Sequence, residues 1–165
     1  MIKELANGRI RLPTDRSTDL FEMFCHFQDS QLAMCSELET IADCLPNILN
    51  KDVWLKTAQS IFPLLSKAHG FEELELFPAI LERKKDELRF EEVIKRLQSE
   101  HHNDEDYAES VAHAIRCYVR DDDHSKAEGL SWMLRGFFES TRRHIAFERE
   151  HILPCLNLQR HSNKN

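Results

Sequence analysis

Apolar residues recur at intervals of three and four positions through four long segments of the chain, which is the spacing of amphipathic helices. The first segment is predicted to begin near Ser17 and to end at Pro46. The second is predicted to begin after Asn50, which can cap a helix. Because the second segment contains Pro63 and Gly70, a kink or a late start is expected there. The apolar positions of these two segments are Leu20, Phe24, Phe27, Met34, Leu38, Ile41 and Leu45, followed by Leu55, Ala58, Phe62, Leu65 and Leu76.

A third helix is predicted from about Phe90 to Val119, and a fourth follows the polar run at Asp121 and ends near Leu158. The apolar positions are Val93, Leu97, Ala108, Val111, Ile115 and Tyr118 in the third, and Leu130, Leu134, Phe137, Ile152 and Cys155 in the fourth. Four long segments with short polar connections and no alternating pattern predict an all-α, up-down-up-down four-helix bundle. We expect one domain over residues 1–165, with its core at about 18–158 and with loose termini, including the tail from Gln159.

Composition and charge narrow the classes of function. The chain has 22 Lys and Arg against 29 Asp and Glu, a net charge of −7, so neither nucleic acid nor an anionic membrane surface is an expected partner. No apolar run has the length of a signal peptide or a membrane span, so we expect a cytoplasmic protein. Five widely spaced cysteines without a Cys-x-x-Cys pair predict neither a disulfide framework nor a thiolate zinc site.

Three of the predicted helices carry histidine and glutamate within the apolar stripe. On the fourth helix His144 and Glu148 are four residues apart, so both lie on the face between Phe137 and Ile152. The equivalent groups are His101 with Glu105 on the third helix, and His69 with Glu72 or Glu73 on the second. Burying an unpaired carboxylate costs several kcal/mol, and no Lys or Arg lies on these stripes. Metal ions are therefore the expected partners of the acids.

Three motifs around these residues resemble the hemerythrin-like (HHE cation-binding) family. Residues Arg143 to Pro154 are similar to the family's final His-x-x-x-Glu motif with its apolar and proline ending. Residues Gln98 to Glu105 resemble the third-helix Glu-His motif, and His69 to Pro78 resemble the second-helix His-x-x-x-Glu motif with its Leu-Phe-Pro ending. The resemblance covers residues 18–158 and implies a four-helix bundle that holds a non-haem di-iron centre.

The chain departs from the family pattern on two helices. Gln28 stands where the family has a first-helix histidine, and His26 is about 200° away around the helix. On the second helix, counting back from the proline places the expected histidine at Ala68, so that His69 is displaced by one residue. A backbone adjustment at Gly70 would bring His69 into position. Without that adjustment one metal would lose an imidazole, and the expected site is a weakened or mononuclear one.

The resemblance implies a ligand set and a range of functions. The candidate metal ligands are His69, Glu72 or Glu73, His101, Glu105, His144 and Glu148, with Gln28 as a weak carbonyl ligand or as an amide hydrogen-bond donor. These donors suit two iron ions, and manganese is the second choice. The family implies a small ligand (dioxygen, nitric oxide or peroxide), or a role in handling iron, with enzymatic activity left open. The alternative, which Gln28 and the displaced His69 favour, is a metal-depleted bundle that serves as an interaction or regulatory module for an unidentified protein partner.

Overall fold

The structure, a computed structural model, describes residues 16–84 and 87–157 and the side chains of 19–84 and 87–156. The long helices are α1 (Arg16–Cys44), α2 (Lys51–Phe71), α4 (Leu88–Asp121) and α5 (Ala127–His151), and the short ones are α3 (Phe77–Arg83) and α6 (Leu153–Asn157). A π-helical turn, Glu72–Leu76, joins α2 to α3, and a short 3-10 turn, His124–Lys126, precedes α5. The predicted all-α class is confirmed. The residues before 16 and the tail from 159, which the sequence predicts to be loose, lie outside the described residues.

The second helix begins where the sequence predicts and not later. The side chain of Asn50 accepts a hydrogen bond from the backbone N–H of Val53 at 3.1 Å, which satisfies one free donor of the first turn. The helix then continues through Pro63 and Gly70, so the predicted late start is wrong. Burial of Ile61 and Leu65 against neighbouring helices stabilises this region and offsets the hydrogen bond that the proline removes.

The long helices form a closed arrangement in which α1 and α4 each contact α2 and α5. Their apolar faces form two separate core clusters. The first contains residues such as Leu38, Ile61, Val111 and Phe137, one from each long helix. The second includes Leu20, Phe24, Leu76, Phe77, Leu97 and Ile152.

A layer of buried polar side chains separates the two apolar clusters on every long helix. The layer consists of Gln28, Gln31, His69, Glu72, His101, Thr141, His144 and Glu148. Along α1 and α4 the chain passes from the second cluster to the first, and along α2 into α3 and along α5 it passes in the opposite direction. This is the alternation that an up-down-up-down bundle requires. Among the described residues, no helix is long and apolar enough to cross a membrane.

Candidate metal centre

Five buried side chains converge in the polar layer. His69, His101 and His144 form one group of potential ligands, and Glu72 and Glu148 join His101 and His144 in a second, overlapping group. Within each group the ligand atoms all lie within 4.8 Å of one another. The two carboxylates are the most deeply buried, because Glu72 is 1% exposed and Glu148 is 0% exposed.

The π-helical turn determines which acid of the second helix reaches the cluster. Glu72 opens this turn directly after α2, and a π turn shifts the positions that follow it relative to an α-helix. Both His69 and Glu72 point into the layer, whereas the side chain of Glu73 is 38% exposed. The sequence does not decide whether Glu72 or Glu73 is the candidate ligand, and the structure brings Glu72 into the cluster. His69 lies in the cluster as expected, while Gly70 itself lies within α2 without a positive φ and the irregular turn begins two residues later.

Each of the three histidines has a carboxylate on its outer ring nitrogen. The Nδ1 atom lies 3.0 Å from Glu105 Oε1 in His69, 2.8 Å from Glu73 Oε1 in His101, and 3.1 Å from Glu100 Oε2 in His144. A carboxylate accepts from Nδ1–H, so the opposite nitrogen, Nε2, keeps a free lone pair toward the cluster. This is the arrangement that commonly orients histidine ligands of metal ions.

Glu105 and Glu73 therefore lie outside the cluster, although the sequence predicted both as candidate ligands. The side chain of Glu105 is 27% exposed and contacts His69 rather than the interior. Glu73 likewise contacts the outer edge of His101. The buried group contains two carboxylates, not the three that the sequence suggested.

Most of the inward-facing polar atoms of the cluster have no hydrogen-bond partner among the described residues. The atoms are Glu72 Oε1 and Oε2, His101 Nε2, His144 Nε2 and Glu148 Oε1. Two contacts bring them together, His101 Nε2 with Glu72 Oε2 at 3.1 Å and His144 Nε2 with Glu148 Oε1 at 3.3 Å. With the proton of each ring on Nδ1, these contacts place one lone pair against another. Leaving one buried polar atom unsatisfied costs about 1–3 kcal/mol, and more when the group is charged. Imidazole nitrogens and carboxylate oxygens with free lone pairs fit a cation, which would satisfy all of them together. The residues present therefore fit a bound metal ion.

The electrostatics of the cluster also favour a cation. Burial, together with the neighbouring His101 and His144, lowers the pKa of His69 to about 2, so this imidazole is neutral at pH 7, as a ligand must be. Burial, with the charge of Glu148 next to it, raises the pKa of Glu72 well above its ordinary value. Burial lowers the pKa of His144, but the carboxylates around it, Glu148 first, outweigh that effect and raise it.

Gln28 and Arg149 close the cluster on the side of α1. Gln28 is 1% exposed, and its Nε2 donates to Glu148 Oε2 at 3.0 Å. Its Oε1 accepts from Arg149 Nε at 3.0 Å. Of the two predicted roles, the structure shows the amide donor, since the carbonyl oxygen is already bound. His26 is exposed on the other side of the helix.

Two features of this site were missed from the sequence. Glu100 contacts His144 from a neighbouring helix, and its only sequence signal is its place beside His101. Arg149 reaches Gln28 across 121 positions, although the sequence predicted no cation near the buried acids. No spacing rule links two residues on helices so far apart in the chain.

Comparison with known proteins agrees with this geometry. The family model of the hemerythrin HHE cation-binding domain matches residues 26–156, which is most of the chain. The chain belongs to this family. The match spans all five buried residues of the cluster. The residues that could bind a cation therefore lie within the matched cation-binding domain. Searches of curated proteins and of solved structures each found no match.

Proposed function

We propose that this hemerythrin-like chain binds iron at the buried cluster and uses it to bind or sense dioxygen, nitric oxide or peroxide, or to handle iron. The observation that carries the proposal is the set of unsatisfied inward-facing atoms on Glu72, His101, His144 and Glu148. A bundle without a metal would have to bury these atoms at a cost of several kcal/mol. A metal ion turns the same atoms into ligands.

The donor types favour iron over softer or thiolate-bound metals. Three imidazoles and two carboxylates suit iron or manganese, whereas Cu(I) and structural zinc prefer sites with sulfur ligands. The free cysteines lie outside the cluster. Cys35, for example, donates to the backbone oxygen of Phe138, and burial raises its pKa to about 11. Manganese remains the second candidate.

The residues in and around the cluster would have different roles in binding a metal ion. The Nε2 atoms of His69, His101 and His144 would hold the ion, and the carboxylates on the Nδ1 atoms would orient the rings. The two apolar clusters exclude water along the bundle. When bound, iron would supply reversible binding of, or electron exchange with, a small oxygen or nitrogen compound.

A cleft between α4 and α5 offers a route from solvent to the cluster. It has a volume of about 370 Å³, and its wall includes Glu100, Asp104 and His144. His144 is the most exposed of the five cluster residues, at 6%. The entrance carries charges of both signs, because Arg96 and Arg143 also line it and Arg96 pairs with Glu100 at 2.7 Å. The cleft admits molecules as small as dioxygen or peroxide.

Elemental analysis of untagged protein, with absorption spectra before and after reduction by dithionite and exposure to air, tests this proposal. We expect bound iron and a charge-transfer band that bleaches on reduction and returns in air. His101→Ala should lose most of the iron, whereas His102→Ala, on the exposed side of the same helix, should retain it. Protein that binds no iron or manganese after anaerobic reconstitution would overturn the proposal and favour the metal-free interaction module.

A further inference from the structure

The polar groups on the α1 side of the cluster limit how many ions it can hold. We propose that this chain binds a single metal ion, and that Gln28 and Arg149 occupy the side where a second ion of a di-iron centre would need ligands. This inference rests on the proposed metal-binding function and concerns its stoichiometry. It departs from the two ions that the family resemblance implies.

The first step concerns the oxygens of Glu148. A carboxylate that bridges two ions uses one oxygen for each. In Glu148, Oε1 faces His144 Nε2 at 3.3 Å and has no hydrogen bond, whereas Oε2 already accepts from Gln28 Nε2. Glu148 therefore offers one free oxygen, and the other is held by an N–H donor where a second ion would bind.

The second step fixes the orientation of the Gln28 amide. Arginine can only donate hydrogen bonds, so the atom of Gln28 that faces Arg149 Nε must be the carbonyl oxygen. The NH₂ group must then face Glu148. Arg149 is itself held by Asp29, whose Oδ1 lies 3.5 Å from its Nη2. The cluster thus meets N–H groups on this side rather than lone pairs.

The third step concerns charge. The buried cluster contains two carboxylates and three imidazoles, so one divalent cation balances Glu72 and Glu148. A second divalent cation would add two positive charges close to the guanidinium of Arg149, which does not lose its proton in proteins. The cluster buries no third carboxylate that would balance a second ion.

The number of ligands leads to the same conclusion. The cluster offers three histidines and two glutamates, and none of these five buried ligands comes from α1. From α1 the layer contains only two uncharged amides, Gln28 and Gln31, of which Gln31 leaves a free Oε1. One amide oxygen is a weak ligand for iron. The five ligand residues form two overlapping groups, and both groups contain His101 and His144, so a single ion would lie beside these two imidazoles.

An anaerobic Fe(II) titration of the full chain, with iron measured per chain after removal of free metal, tests this inference. Air oxidation followed by electron paramagnetic resonance then counts the isolated ferric ions. We expect one iron per chain and a ferric signal that accounts for all of it. Two irons per chain with a spin-coupled, silent ferric pair would overturn the inference and leave the proposed function standing. No bound iron would overturn both.

Gln28→Leu provides the second arm, because it removes the amide without removing a ligand of the single ion. We expect Gln28→Leu to keep one iron per chain, as should the matched control Gln31→Leu one turn further along α1. Glu148→Gln should lose iron. If folded Gln28→Leu, as judged by circular dichroism, binds one iron per chain fewer than the unmodified chain, then Gln28 is a ligand and the inference is wrong.

Discussion

Replacing Glu148 by glutamine separates its two effects, on the stability of the metal-free bundle and on metal binding. The side chain is fully buried at the end of a hydrogen bond from Gln28, and glutamine has nearly the same shape. Its amide oxygen can still accept from Gln28, and the like-charged neighbour of Glu72 disappears. The pairing with His144 at 3.3 Å, which outweighs burial and lowers the pKa of Glu148, is lost as well. Because these two effects oppose each other, we expect only a small change in Tm for the metal-free variant. The larger loss should show when metal is added.

The expected size of that loss follows from linkage. Metal at 100 times its dissociation constant stabilises the folded chain by about 2.7 kcal/mol. For a domain of this length, 1 kcal/mol shifts Tm by roughly 2–4 °C, so the unmodified chain should gain about 5–11 °C. If Glu148→Gln weakens binding about 100-fold, the same metal concentration stabilises the variant by only about 0.4 kcal/mol. Its Tm should then rise by about 1–2 °C.

Thermal unfolding followed by circular dichroism, with and without Fe(II) under anaerobic conditions, measures both quantities. Glu139→Gln is the matched control, because Glu139 lies on the same helix but is 53% exposed and pairs with Arg142. It should keep the full metal-induced shift. A Glu148→Gln variant that also kept the full shift would refute the role of Glu148 as a ligand. A large drop in Tm without metal would refute the expected balance and show that the pairing with His144 outweighs the repulsion from Glu72.

Three further predictions test the orientation of the ligands, the apolar core and the helix cap. Glu105→Gln should weaken metal binding about 10–100-fold in competition with a chelator, because it loosens the ring of His69; unchanged affinity would contradict that role. Phe137→Ala should lower the free energy of unfolding by about 3–5 kcal/mol in urea, while the folded chain keeps its metal. Loss of metal from the folded variant would show that the apolar core and the metal site are not independent. Asn50→Ala should cost about 1 kcal/mol in the same assay, and no change would mean that the bond to Val53 is not stabilising.

The helices could be predicted closely from the sequence, because each has a wide apolar face and clear end signals. The first was expected from Ser17 to Pro46 and is found at Arg16–Cys44. The π-helical turn was not predicted, since local sequence preferences do not separate a π turn from an α turn. The mismatch between His69 and Pro78 did not signal it, because a π turn adds a residue and this spacing is one residue shorter than the one between His144 and Pro154.

The site was predicted in part, and the misplaced residues share a physical reason. Residues four apart on an α-helix differ by about 40° around its axis, and the same offset leaves Glu148 at the centre of its face but Glu105 at the edge, 27% exposed. From the edge, its carboxylate reaches the outer nitrogen of His69 rather than the interior. Periodicity identifies a face but cannot decide between its centre and its edge. That difference separates a ligand from a residue that orients one.

The position of the polar layer has a consequence for folding. The layer lies between two apolar clusters, and its donors come from α2, the π turn, α4 and α5, so the cluster exists only when these segments are packed together. Without metal, the carboxylate oxygens of Glu72 are buried beside the charge of Glu148, which raises the pKa of Glu72 and weakens the middle of the bundle. With metal, the same atoms join all these segments at one point, so the energy of binding contributes directly to folding. Residues that are unfavourable in the free bundle are thus the ones through which metal availability would control how much of the chain is folded.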